Sequence, residues 1–199
     1  MKTRTSPPMG LGLLGPALLG RTLLGLAFLA APSALPAQSV LIQAERVLTA
    51  SPRGELAPGY VLVEDGKIVS VVGQRPPGVS DGIRLIQAAV ITPGFIDART
   101  TLGLTGIHPD DDDRDETSGP HQAHLRALDA FDPRDPAVAY ALRRGVTTVQ
   151  AGPGDANSIG GQAGIFKLAG ATVEEMTLRS PSALILSLAE TAKLTYGQA

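Results

Sequence analysis

A helix followed at once by a strand, at residues 135–150, constrains the fold of this chain more than any other local pattern. Asp135 precedes Pro136, a pair that is typical of a helix N-cap and its first turn. Apolar residues then recur at helical spacing, and Gly145 can end the helix in a left-handed conformation. The β-branched segment 146–150 follows directly. A helix, a tight turn and a strand in this order predict α/β layering.

The residues before this unit are predicted to form β-structure. Asp65-Gly66 tolerates the positive φ angles of a tight hairpin and lies between two β-rich runs. Pro93-Gly94 interrupts the last apolar run before the helix. We therefore expect a β-rich domain over residues 38–90, with a surface loop at 74–82. The predicted strands are residues 40–50, the two arms of a hairpin at 59–73, and residues 83–98 with the interruption.

Beyond residue 150 the chain alternates between glycine-rich and apolar segments. Residues 151–162 are predicted to form a glycine-rich loop, residues 163–170 a strand, and residues 181–194 a helix. The loop lacks the Gly-Lys-Ser/Thr ending of a phosphate-binding loop. We expect its glycines to permit close approach of the backbone at one end of the sheet.

The first 37 residues have the pattern of a secretory signal peptide. Lys2, Arg4 and Arg21 precede a ten-residue apolar run at 22–31, and small residues lead to a cleavage site after Ala37. Ten apolar residues are too few to span a bilayer, which takes about 20. We expect export to the periplasm or the medium, with no stable membrane insertion once residues 1–37 are removed.

Composition narrows the classes of partner and of chemistry. The mature chain would carry 14 basic and 19 acidic residues, a net charge of −5, which disfavours nucleic acid as a partner. The chain has no cysteine, so disulfides, thiolate metal sites and cysteine nucleophiles are excluded. Aromatic residues make up 4%, so a buried core must be mainly aliphatic.

Three segments together carry a resemblance to a known family. "GYVLVEDGKIVSVVG" at 59–73, "VITPGFIDA" at 90–98 and "RRGVTTV" at 143–149 resemble the amidohydrolase superfamily, in the exported branch related to imidazolonepropionase. Residues 152–170 also resemble a stretch of one exported group of these proteins. The resemblance implies an α/β fold, in which a small N-terminal β-sandwich-like domain precedes a (β/α)8 TIM-type barrel. It also implies hydrolysis of carbon–nitrogen bonds other than peptide bonds, assisted by a divalent metal of the zinc type.

The family's first barrel strand ends in Asp-x-His-x-His, and this chain departs from that motif. The aspartate position falls on Asp97, whereas the two histidine positions fall on Arg99 and Thr101, within Arg99-Thr100-Thr101. Residues two apart on a strand share a face, so both side chains should point the same way. Arginine has no lone pair to offer a cation and threonine is at best a weak ligand. We therefore expect no metal to be bound by this chain at the first strand.

The length of the barrel region is the second departure. Residues 91–199 could supply only the first, incomplete part of a barrel, about three βα units, because a complete barrel takes about 250 residues. An incomplete barrel exposes a sheet edge, so self-association through that edge is possible. We therefore expect that the chain is a fragment of a longer hydrolase or that a partner chain completes the barrel.

Three functional hypotheses remain open at this point. The chain could be a divergent amidohydrolase, a non-catalytic exported relative that binds a small molecule, or an inactive fragment. Arg99 could bind a carboxylate or phosphate at the barrel mouth, or it could pair with Asp97 or with the nearby acidic loop. The predicted ligand-binding residues are Asp97, Arg99, Thr101, Asn157, Gln162 and Lys167.

Acidic residues and histidines between 108 and 124 give a weaker signal. Six acids lie between Asp110 and Glu116, but the run lacks the glycine and the final acid of an EF-hand. We expect a solvated surface loop, with weak cation binding as the alternative. His108, His121 and His124 are expected to be surface residues, with a makeshift metal site as the alternative.

Overall fold

A computed structural model describes residues 39–106 and 112–197. The predicted signal peptide at 1–37 lies outside the described residues, as do His108 and the first two acids of the acidic run. The domain boundary at residue 90 and export both stay predictions.

The first part of the chain forms one five-stranded sheet. β1 pairs in antiparallel fashion with β2 and β3 and in parallel fashion with β5, while β4 pairs with β3. The predicted strands are confirmed, but one sheet is present in the described residues where two facing sheets were expected. The strands are β1 (Val40–Leu48), β2 (Glu55–Leu56), β3 (Gly59–Glu64), β4 (Lys67–Val72) and β5 (Arg84–Ile91).

The hairpin between β3 and β4 forms where the sequence predicts it. Asp65 and Gly66 have φ angles of 53° and 72°, the left-handed conformation that the turn requires. Ala44, Val47 and Val61 bury their side chains together beneath β1 and β3. The alternation of β-branched residues thus places one face of this sheet in an aliphatic core.

The second part of the chain forms a four-stranded sheet in the order β6-β7-β8-β9, with four short helices. β6 and β7 are parallel, and α2 lies between them in the chain, so they form a βαβ unit. The interruption at Pro93-Gly94 is where the chain leaves the first sheet for the second. The elements are β6 (Phe95–Thr100), α1 (Ala127–Ala130), α2 (Pro136–Arg143), β7 (Val146–Ala151), β8 (Ile159–Lys167), α3 (Val173–Met176), β9 (Thr177–Leu186) and α4 (Glu190–Tyr196).

The succession of parallel βα units ends after β7. β8 runs antiparallel to β7, and β9 runs antiparallel to β8. The expectation of about three βα units is therefore wrong for the described residues, which contain one parallel pair. A glycine-rich loop of only a few residues joins β7 to β8, and a connection that short allows an antiparallel neighbour but no crossover.

Two predicted boundaries also differ from the structure. The strand predicted at 163–170 starts at Ile159, so the glycine-rich loop is shorter than expected. The helix predicted at 181–194 is wrong over its first half, which belongs to β9, and only α4 is helical. Ile185 is buried while Leu184 and Leu186 on either side are exposed, which is the period of a strand. Pro181 is tolerated because β9 is an edge strand.

An aliphatic and aromatic core holds the second sheet to its helices. Val149 and Phe166 are completely buried on neighbouring strands, and the Phe166 ring stacks on Phe131 with 4.2 Å between ring centroids. Val138 brings α2 onto the same core. This packing fixes the positions at which β6 and β7 end.

Within the described part of the chain, β6 pairs with β7 alone, and it carries exposed apolar side chains. Phe95 is 60% exposed and Ile96 is 71% exposed. Self-association through this edge stays a prediction. Among the described residues, no helix has the length and apolar character needed to cross a membrane.

Asp135 caps α2, because its Oδ1 accepts a hydrogen bond from the Ala137 N–H at 2.8 Å. Replacement of Asp135 by alanine leaves that N–H without its partner and should lower the free energy of unfolding by about 1 kcal/mol. Urea unfolding followed by circular dichroism measures the change. Asp81→Ala, at a fully exposed loop position, is the control and should stay within about 0.5 kcal/mol of the wild type. Equal effects of both substitutions would contradict a capping role.

Candidate functional site

The candidate site lies where β6 and β7 end and three segments of chain converge. The Gly152 N–H donates to the Thr100 carbonyl at 3.0 Å, and the Gly154 N–H donates to the Arg114 carbonyl at 2.9 Å. These bonds surround a cavity of about 540 Å³. Its wall consists of Arg99, Thr100, Thr101, Arg114, Asp115, Gly154, Asp155, Ala156 and Thr191.

Arg99 joins the end of β6 to the glycine-rich loop. Its Nη2 donates to the Pro153 carbonyl at 2.7 Å and lies 3.3 Å from the Asp155 carboxylate, while Nη1 donates to the Thr100 carbonyl at 3.3 Å. The side chain is 39% exposed, so part of the guanidinium still faces the cavity. The arginine therefore positions the loop and also presents positive charge to solvent.

Asp97 and Thr101 lie next to Arg99 but are bound differently. Asp97 Oδ1 accepts the backbone N–H of Arg99 at 3.1 Å, whereas the guanidinium pairs with Asp155. The Thr105 hydroxyl lies 2.9 Å from the Thr101 hydroxyl and 3.0 Å from the Thr101 carbonyl. Thr101 and Arg99 both line the cavity, as positions two apart on a strand should.

Asn157 is completely buried beneath the cavity. Its Nδ2 donates to the Glu116 carbonyl at 2.7 Å, and its Oδ1 accepts a short hydrogen bond from the Tyr196 hydroxyl. Burial raises the pKa of Tyr196, and the negative charges of Glu116 and Asp115 add to the effect. Protein groups on two other segments thus bind both ends of the amide, so Asn157 supports the loop.

Gln162 and Lys167 lie away from the cavity. Gln162 Nε2 donates to the Ala123 carbonyl at 3.0 Å, and Lys167 Nζ donates to the Thr148 hydroxyl at 3.3 Å. Lys167 is paired with Thr148, three residues before the end of β7, which corresponds to about 10 Å along the strand. The structure brings together Asp97, Arg99 and Thr101. Gln162 and Lys167 instead bind Ala123 and Thr148.

Asp115 is a cavity residue that the sequence prediction missed. It belongs to the acidic run that was expected to be solvated, yet its side chain is only 17% exposed, and its Oδ1 accepts the Ala156 N–H at 3.3 Å. A Cβ at Gly154 would overlap the Asp115 carboxylate, so a larger residue there would displace this carboxylate from its present position. Consecutive acids give no signal that one of them turns inward, which is why the run was interpreted as uniform.

Burial raises the pKa of Asp115 above the usual range of aspartate. Asp112 and Asp155 raise it further, whereas the Ala156 N–H and Arg114 act in the opposite direction. Arg114 lies 3.9 Å from Asp115 and 3.0 Å from Asp112, so its charge is shared between two carboxylates. The carboxylate of Asp115 is therefore incompletely neutralised.

The residues at the strand end do not fit a divalent metal. Arg99 cannot be a ligand, since its guanidinium has no lone pair, and its positive charge would repel a cation. His121 and His124 are exposed and lie on another segment. Among the described residues, no group of three or more histidine or acidic side chains is arranged to hold a metal ion.

Comparisons with known proteins support the amidohydrolase superfamily. Amidohydrolase tasK from Hapsidospora irregularis is 33% identical over an alignment of 115 residues that covers 55% of this chain and 12% of that protein. The crystal structure of an amidohydrolase from Thermotoga maritima MSB8 superimposes with a TM-score of 0.69 at 30% identity. The superposition covers 80% of this chain and 41% of the Thermotoga chain. No family profile matches the chain. The chain therefore spans less than half the length of either relative.

Replacement of Asn157 tests how much the buried amide stabilises the loop that lines the cavity. Asn157→Ala leaves the Glu116 carbonyl without its buried donor, while the Tyr196 hydroxyl keeps the Gly119 carbonyl as its acceptor at 2.9 Å. The free energy of unfolding should therefore fall by about 1–3 kcal/mol. Urea unfolding measures the loss. Gln74→Ala, at an exposed amide in the first part of the chain, should change stability by less than about 0.5 kcal/mol. If Asn157→Ala were as mild as this control, the proposed support would be absent.

Asp115 should make stability depend on pH in a definite direction. Its raised pKa means that the folded chain holds this proton more tightly than the unfolded chain, so its contribution to stability falls as pH rises through the window above about 3.9. Relative to Asp115→Asn, the wild type should be more stable at about pH 4 than at about pH 7. Urea unfolding of both proteins at the two pH values gives this difference. A difference that increased with pH would contradict the buried carboxylate.

Proposed function

We propose that this chain is the N-terminal part of an amidohydrolase-superfamily protein whose strand-end cavity binds a small polar molecule without a metal ion on β6. The likeness to the Thermotoga amidohydrolase over 80% of this chain supports the family. The cavity of about 540 Å³ falls within the size range of sites for small molecules.

The position of Arg99 is the observation that carries this proposal. By resemblance, residue 99 is where the family places its first metal-binding histidine. The guanidinium there contacts Pro153 and Asp155, so it links the strand to the loop electrostatically. The same group offers hydrogen-bond donors to a ligand, and a charged contact of this kind contributes about 1.5–3 kcal/mol.

Hydrolysis of a carbon–nitrogen bond by a longer form of the protein is the second candidate. The Thermotoga likeness favours it, because that relative is named an amidohydrolase and is more than twice as long as the region it shares with this chain. Metal ligands would then have to come from residues outside those described. We also propose export with removal of residues 1–37, which the basic and apolar pattern of the N-terminus supports.

The metal content of the protein separates the two candidates. The full chain, purified and dialysed against a chelator, should retain its binding of small molecules. Hydrolysis of a carbon–nitrogen bond that appears only when zinc, iron or manganese is restored would favour the hydrolase. Three derivatives of one dipeptide cover the charge classes: glycylglycine, N-acetylglycylglycine and glycylglycinamide, each tested by ligand-observed NMR.

Arg99→Gln removes the charge and should weaken binding of the probe that binds best by roughly tenfold or more. Arg75→Gln is the matched control, because Arg75 also pairs with an aspartate on an exposed loop but lies in the first part of the chain. It should bind as the wild type does. Circular dichroism of each variant shows whether the fold is kept. Failure of all three probes to bind the chelated wild type would overturn the proposed function.

A further inference from the structure

The cavity wall carries charges of both signs in equal number. Arg99 and Arg114 contribute two positive charges, and Asp115 and Asp155 contribute two negative charges. Buried or half-buried charges of one sign favour ligands of the other sign and disfavour ligands of the same sign. The wall has no net charge but has a positive and a negative side. It therefore favours ligands whose own charges are separated in the complementary way.

The positive side of the wall retains capacity to donate hydrogen bonds. Among contacts with the described residues, Arg99 uses Nη1 and Nη2, while its Nε makes no hydrogen bond. Its 39% exposure shows that part of the group is open to the cavity. The Nε–H and the second N–H of Nη1 can each donate a charge-assisted hydrogen bond, so a ligand carboxylate fits this side.

The negative side of the wall retains capacity to accept hydrogen bonds. Among the described residues, the hydrogen bond that Asp115 accepts comes from the Ala156 N–H, and Arg114 is 3.9 Å away and closer to Asp112. Asp155 is 63% exposed and meets Arg99 at 3.3 Å. An ammonium group has three hydrogen-bond donors, and its positive charge would neutralise these carboxylates.

We infer that the cavity binds a small zwitterion, with its carboxylate on Arg99 and its ammonium group on Asp115. This inference rests on the proposed function and specifies the ligand class for the same site. A simple anion would meet the repulsion of two carboxylates, and a simple cation would meet that of two guanidinium groups. A ligand with both charges gains on both sides and brings no net charge into the cavity.

The dimensions of the cavity allow a free amino acid or a short peptide. Thr101 and Thr191 add hydroxyl groups to the wall, and these can bind a peptide carbonyl or N–H between the charged ends. Both sources of the zwitterion share the same end groups and differ in the distance between them.

The experiment compares derivatives of one dipeptide that differ in which end charge they carry; glycylglycinamide matches glycylglycine in size, and N-acetylglycylglycine is longer by an acetyl group. Glycylglycine carries both charges, N-acetylglycylglycine only the negative one, and glycylglycinamide only the positive one. Titration of the full chain, followed by NMR, should give a dissociation constant for glycylglycine at least tenfold lower than for either analogue. Glycine serves as a further arm, and tighter binding of glycine than of glycylglycine would identify a free amino acid as the source.

Asp115→Asn assigns the ammonium position. This variant should bind glycylglycine at least tenfold more weakly, while N-acetylglycylglycine binds at least as well as before because a repulsive charge is gone. Asp81→Asn, in an exposed loop of the first part of the chain, is the control and should change neither constant.

The outcomes separate this inference from the proposed function. Equal or tighter binding of one singly charged analogue by the wild type would overturn the zwitterion while leaving a small-molecule site in place. An Asp115→Asn variant that lost both ligands equally would overturn the assigned ammonium position. Absence of binding by all the probes would overturn both proposals together.

Discussion

The contact of the Arg99 guanidinium with Pro153 and Asp155 determines the shape of the strand end on which the rest of the site depends. It joins the end of β6 to the loop after β7, across a separation of 54 residues in sequence. Because this fixed positive charge belongs to the protein, it also limits which ligands the cavity can accept.

Beneath that contact, a layer of buried polar groups holds the loop in place. Asn157 is bound from the acidic segment through Glu116 and from α4 through Tyr196, so three distant parts of the chain meet at one amide. Asp115 packs against Gly154, where a side chain would displace its carboxylate. Buried polar groups are costly when they are unpaired, so a network of this kind favours one loop conformation over others. The charged wall above it is consequently pre-organised.

The elements that sequence predicted well are those set by local chemistry. Asp65-Gly66 makes the hairpin turn and Asp135 caps α2 because these residues act on their own neighbouring backbone. The failures lie where pairing with distant strands decided the outcome. Residues 181–186 are apolar enough for a helix, yet β8 offers them a ladder of backbone hydrogen bonds and they form β9. Asp115 was missed for a similar reason, since only the fold brings it to Gly154 and Ala156.

By itself, the sequence determined the mixed α/β character, the hairpin, the βαβ unit and the placement of Arg99 and Thr101 two residues apart at the end of the same strand. These follow from residue type, local spacing and the period of a strand, which need no knowledge of distant contacts. The tertiary structure alone decided the partner of Arg99, the burial of Asn157 and Asp115, and the separation of Gln162 and Lys167 from the cavity. Each of these depends on which strands become neighbours, and strand neighbours are selected by the packing of the whole core.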